Sequence, residues 1–199
     1  VAKRPLTPTE LDQLGQAALS NALELLADAR LLFEAERWPR AFALATLAGE
    51  EVGKYEACRQ AASNPPADDA AWKTFWKDLR DHKPKFATMS GPLVDSISAH
   101  YPAYSAEGRK RWDWVRTTLT DRNSDLAKLA DKNKMAAFYV DFDDDSVSVP
   151  NEIVHRVNAE NMINMVSRAI AYLPPQSSSA GLEPSTAALP AWWINGPTT

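Results

Sequence analysis

Only one cysteine, Cys58, occurs in the 199 residues, which excludes an internal disulfide and any Cys-rich zinc site and fits a reducing compartment. Glycine is scarce too. With 7 Gly against 14 Pro, the chain reads as helices punctuated by proline rather than strands joined by tight turns. No stretch approaches the roughly 18 apolar residues of a membrane span, and Val1-Ala2-Lys3-Arg4-Pro5 opens no signal-peptide core. A cytoplasmic protein without a membrane partner is the expectation. The net charge of -4 gives no general attraction to nucleic acid or anionic lipid, so any RNA contact must come from a local basic cluster. What remains is an ordinary globular composition, 45% hydrophobic and 24% charged, sufficient for one domain over residues 1–173. From Pro174 to Thr199 the chain is rich in Pro, Ser and Ala and reads as a flexible tail, in which Trp192-Trp193 is the apolar exception.

The pattern throughout is helical. Thr7-Pro8-Thr9-Glu10 has the form of a capping box, and Leu11, Leu14, Ala18, Ala22, Leu25, Ala29 and Leu32 recur at three- and four-residue spacing to about Glu36. Pro39 restarts the pattern so soon that an antiparallel hairpin is expected. This second helix runs to about Ala62, and its Ala41, Ala43, Ala45, Ala48, Gly49 and Gly53 allow a neighbour to approach closely. Trp72, Phe75, Trp76 and Leu79 open a third helix that Pro84 and Pro92 kink or divide. A fourth is expected from Ser105 to about Asp131. Phe138–Phe142 and Val147–Val149 read as a short extended excursion near residues 138–149, too small to form a core alone. Ile153, Val157, Met162, Met165, Val166, Ile170 and Leu173 mark the last helix. The fold class is all-α, an antiparallel bundle of about five helices.

Ionisable residues on predicted buried faces are the informative feature. Ala43, Leu47, Glu50 and Lys54 follow one another at four, three and four residues, with Glu51 beside them, so charge continues an apolar stripe. Asn21 and Asp28 are expected to share the face of Leu25 and Leu32. Phe75, Leu79, His82 and Phe86 share a side if the helix survives past Pro84, with Arg80, Lys83 and Lys85 around the imidazole. A histidine in basic surroundings is easily kept neutral, which suits a general base. Each feature also has a structural reading: Glu50 and Lys54 as an (i, i+4) ion pair, His82 as a hydrogen-bonded structural histidine, Asn21 and Asp28 as props within the bundle, and the basic cluster as a solvated face. His100 and His155 have ordinary surroundings, and Cys58 reads as a packing residue.

The ordered set Ser20-Asn21-Ala22, Leu25, Asp28-Ala29, Leu31-Leu32, Arg40-Ala41, Leu44-Ala45, Ala48, Glu50-Glu51 and Gly53-Lys54 resembles the N-terminal signature of the AbiV family of abortive-infection proteins. The likeness continues through Phe75-Trp76, Arg80-Asp81-His82-Lys83 and Lys85 to Tyr139-Val140-Asp141-Phe142. It implies a HEPN-like helical bundle, frequently a homodimer, that stops phage growth at the expense of the infected cell. Many HEPN proteins are metal-independent ribonucleases that use an Arg, then about four to six residues, then a His, so that the ribose 2'-hydroxyl attacks in line while the His moves protons. This chain departs from that pattern. None of its three histidines has such an Arg, and Lys77 to His82 is the only cation-to-His pair with the spacing.

The first expectation is therefore a defence effector acting on RNA or translation through one polar cleft. His82, Arg80, Glu50 and Lys54 are its candidate catalytic residues. Lys85, Lys83, Lys132, Asn133 and Tyr139 would hold phosphate or RNA, and Glu51, Asp28, Asn21, Asp81 and Asp141 would support them, with no cofactor and no metal. The alternative is a non-enzymatic module that binds a phage or host protein, which explains the missing Arg better. A weaker third reading gathers Glu50, Glu51, Asp81 and His82 into a metal site, against which the neighbouring cations argue.

Overall fold

The computed structural model describes residues 4–100, 116, 121, 125–143 and 146–173. Helix α1 spans Pro8–Glu34, and its start is the capping box expected: the Thr7 hydroxyl accepts from the Glu10 N–H while the Glu10 carboxylate accepts from the Thr7 N–H. Arg4 also binds Glu10, and the Trp76 indole donates to the Arg4 carbonyl at 3.1 Å, tying the N-terminal segment to a later helix. The Glu10 carboxyl is lowered to about 2, chiefly by the Arg4 hydrogen bonds and then by the Thr7 N–H. At its other end α1 closes in a Schellman motif. Glu36 adopts φ 58°, its N–H donates to Phe33 O, and the Arg37 N–H donates to Leu32 O.

That turn sends α2, Trp38–Ser63, back along α1 as an antiparallel hairpin. Then follow α3 (Asp69–Asp78), α4 (His82–His100), α5 (Asp125–Ala136), a hairpin of β1 (Asp141–Asp143) and β2 (Ser146–Ser148), a single turn α6 (Pro150–Ile153) and α7 (Arg156–Ala171). Helix α2 is the centre. It touches α1, α4, α5, α6 and α7, and its buried small residues Ala41, Ala43, Ala45, Ala48, Gly49 and Gly53 permit this. The main apolar core lies around it, with Leu26, Phe42, Val52, Phe86, Met89, Leu93 and Val166 among its larger members. A smaller cluster of Leu11, Cys58, Ala61, Trp72 and Leu79 caps one end. Burial pushes the Cys58 thiol up to about 11, as befits a packing residue rather than a nucleophile.

Two expectations are corrected and one is made specific. The third helix is divided as expected, but ahead of Pro84: it ends at Asp78 and a new helix begins at His82, because proline is readily accommodated in a first helical turn. Pro92, in contrast, lies inside α4 without ending it. The buried stripe of α1 is Leu11, Gly15, Ala18, Ala22, Leu26 and Ala29, which leaves Leu25 and Leu32 half-buried at its margin and exposes Asn21 and Asp28. The fourth helix continues past Asp131 to Ala136. Its expected start near Ser105 lies outside the described residues, as does the tail from Pro174 with Trp192 and Trp193. The extended excursion is borne out as a two-stranded antiparallel hairpin pairing Phe142 with Val147.

Candidate functional site: a buried carboxylate under a half-exposed histidine

The site is built on a close approach of two helices. A Cβ placed on Gly53 would stand 1.8 Å from the Lys85 carbonyl oxygen, so only glycine lets α4 lie this near α2 at that point. Gly49, one turn earlier, receives Met89 in the same way, with its sulfur 2.8 Å from such a Cβ. The contact brings the first turn of α4 against the turn of α2 that carries Glu50. Asp81 precedes that turn and accepts the Lys83 N–H at 3.2 Å.

Glu50 is only 3% exposed, yet both its oxygens are occupied. Oε2 meets His82 Nδ1 at 2.6 Å and Lys85 Nζ at 3.2 Å, while Oε1 accepts from Lys134 Nζ at 2.7 Å. His82 and Lys85 are three residues apart and share one face of α4; Lys134 reaches in from α5 and also lies 3.2 Å from Asp131 Oδ1. A carboxylate removed from water is costly by several kcal/mol unless paired and hydrogen-bonded. Two ammonium groups and an imidazole meet that requirement here. With Lys85 and Lys134 buried beside it, the acid lies in a pocket of positive charge, and a second carboxylate, Asp131, moderates the excess.

His82 differs from its partners in exposure, since half of its side chain remains open to solvent. An ionised carboxylate can only accept, so the bond to Glu50 places the imidazole proton on Nδ1 and leaves Nε2 as the basic nitrogen. The arrangement can therefore hold a histidine in one tautomer and orientation while its other nitrogen handles protons.

Of the residues expected to converge, Glu50, His82 and Lys85 do so. Lys54 does not: it binds Glu51 at 2.5 Å, an (i, i+3) pair replacing the expected pair with Glu50, which has turned inward. Arg80 and Asp81 are exposed on the α3–α4 connection, and Lys83 is half-buried in the first turn of α4. Lys132 is exposed, Asn133 half-buried, and Tyr139 61% exposed beyond the end of α5. Asn21 and Asp28 stand on the outer face of α1, so they do not support the cluster. Asp141 is exposed at the start of β1, where its carboxylate accepts the Phe142 N–H at 2.8 Å. Among the described residues no group of three or more His, Cys, Asp and Glu side chains is placed to hold a metal ion, so Glu50, Glu51, Asp81 and His82 do not make the site of the third reading.

Lys134 is the residue missed. Its signal was present, because Ala127, Ala130, Lys134 and Ala137 follow at three, four and three residues and all are buried. Ending the helix at Asp131 concealed it.

A model of the AbiV family matches residues 10–171, well over half of the chain. The chain belongs to the AbiV family of HEPN proteins. No curated protein and no solved structure matches it. AbiV membership points to abortive-infection defence, and the mostly helical architecture agrees with a HEPN-like bundle. No helix among the described residues is long and apolar enough to cross a membrane. Within this AbiV chain the residue at the upstream spacing, Lys77, is exposed in the last turn of α3, whereas the histidine itself is anchored by a glutamate.

Proposed function

We propose that this AbiV protein acts in abortive infection as a metal-independent endoribonuclease, with His82 as its proton-transfer group and a homodimer as the working form. One observation carries the reading: a half-exposed imidazole whose Nδ1 is held by a buried carboxylate. In the reaction, Nε2 of His82 takes the proton of a ribose 2'-hydroxyl as its oxygen bonds to phosphorus. The bond from phosphorus to the 5'-oxygen breaks, and that oxygen takes a proton from water, giving a cyclic phosphate and a free 5'-hydroxyl, while the hydroxide left by that water takes the proton back from His82. Glu50 is a positioning residue. Because Lys85 and Lys134 are engaged by Glu50, the phosphate falls to Arg80 on the α3–α4 connection and Lys83 in the first turn of α4.

General acid–base catalysis contributes about 100-fold to 10,000-fold. The His82→Ala protein should therefore lose cleavage of total cellular RNA by at least about 100-fold, and protection against phage with it. Full cleavage and full protection by that variant would remove the catalytic reading.

A second reading, binding of a phage or host protein without catalysis, has its own support. Tyr139, Val140, Phe142 and Val147 are 61%, 64%, 66% and 58% exposed in and beside the hairpin, an apolar surface of the kind that marks protein contacts. A stoichiometric protein partner recovered from infected cells, with no RNA cleavage, would favour it.

A further inference from the structure

A groove of about 750 Å³ runs between α2, α3 and α4, beside the Glu50–His82 pair and separate from it. Its volume lies within the roughly 300–1,000 Å³ range of small-molecule sites. Leu79 and Pro84 line it from either side of the α3–α4 connection, so the connection that presents His82 also forms one wall. Lys85 belongs to both places, lining the groove while its ammonium binds Glu50.

The lining combines three chemistries. Phe75 supplies a half-buried aromatic ring next to small apolar neighbours. Gln60 and Asn64, four residues apart at the end of α2, present side-chain amides on one helical face. The Gln60 amide nitrogen donates to Glu56 at 2.9 Å, which turns the group and leaves its oxygen as acceptor, and the Asn64 amide makes no hydrogen bond among the described residues. Asp78 and Thr88 add further acceptor and hydroxyl oxygens. A flat heteroaromatic ring with donors and acceptors on its edge suits such a lining: the ring packs on the apolar wall and the amides meet the edge. Cations stand nearby as well, Lys77 in the last turn of α3, Arg80 on the α3–α4 connection and Lys83 in the first turn of α4.

We infer that this groove seats a nucleobase of single-stranded RNA, so that the adjoining phosphodiester is delivered to His82. The inference rests on the ribonuclease reading for its substrate class. Its test is made independent of cleavage by using labelled octamers of 2'-O-methyl adenosine, uridine, cytidine and guanosine, which have no free 2'-hydroxyl to attack. Binding to the full-length chain is measured by fluorescence anisotropy. Thr88→Phe fills the groove from α4 and should weaken binding of every octamer by at least about tenfold, the scale of one lost base stack. Asn64→Leu keeps the size of an exposed side chain at the end of α2 and should reduce the differences in affinity among the four bases. Its position outside the core makes it a usable variant even if Thr88→Phe fails to fold.

Wild-type affinity in a folded Thr88→Phe protein, an unchanged base preference in Asn64→Leu, or no binding by the wild-type chain would each overturn the inference. The His82 reading is judged separately, by the cleavage assay. Loss of cleavage in His82→Ala with octamer binding insensitive to both groove variants would discard the groove alone, and groove-dependent binding with cleavage intact in His82→Ala would discard the catalytic residue alone.

Discussion

The two faces of α2 are held by different physics. Towards α1 the contact is apolar and tolerant, with Ala22, Leu26 and Ala29 meeting a row of alanines, and a Cβ on Gly15 would stand 3.4 Å from Cys58 Cβ, an ordinary contact. Towards α4 and α5 the contact is closer and charged. A backbone carbonyl occupies the space above Gly53, and Glu50 is enclosed by His82, Lys85 and Lys134. The first face needs apolar volume in the right place; the second needs particular atoms.

The largest break in this contrast should come from Glu50→Ala, which takes the carboxylate from the buried Lys85, leaves Lys134 only Asp131 and removes the acceptor of His82. Breaking a buried ion pair typically costs about 3–5 kcal/mol, so a loss of about 4 kcal/mol is expected from urea unfolding at neutral pH. A loss under 1 kcal/mol, roughly the value of an exposed pair, would show that the cluster contributes little to the fold. Next comes the pair of glycine substitutions. Gly53→Ala collides with backbone that cannot yield without moving α4, and should cost about 3 kcal/mol, the upper end of ordinary overpacking. Gly15→Ala should be neutral or stabilising by up to about 1 kcal/mol through helix propensity. Equal effects at the two positions, measured in the same titration, would erase the distinction between the faces. The smallest effect sharpens it from outside either interface: Thr7→Ala removes the cap of α1 at a cost of about 1 kcal/mol. Because the Glu10 carboxyl is lowered to about 2 in the folded chain from 4.5, the stability it contributes is complete above the higher value and disappears as pH falls through the lower one. The difference between wild type and Glu10→Gln, which removes that carboxylate, should thus narrow in acid unfolding below about pH 4.

The same contrast explains what could be read from the residues alone. Apolar periodicity revealed α1, α2 and α7, and Thr7 with Glu10 marked the start of α1, because each depends on local spacing and local hydrogen bonds. The Schellman turn at Glu36 carries no such mark, since a glutamate seldom adopts positive φ and only the returning chain imposes it. Glu50 was recognisable as charge on an apolar stripe, but its partners were not. Which cation reaches it depends on how closely α4 approaches Gly53 and on α5 continuing to Ala136, both consequences of tertiary packing. Lys54, only four residues away, was the natural local choice. Packing instead gave it to Glu51 and left Glu50 to residues from α4 and α5.

The separation between Glu50 and Lys134 has a consequence for the order of assembly. Their hydrogen bond joins positions 84 residues apart, so a chain emerging from the ribosome completes the α1–α2 hairpin long before the last ammonium is synthesised. Until then the carboxylate is better left in water than enclosed. Contacts this distant in sequence slow the search for the native state. The corner that joins Glu50 to α4 and α5 is accordingly expected to close late, and a chain truncated before α5 would lack the ammonium that pairs with Glu50 Oε1.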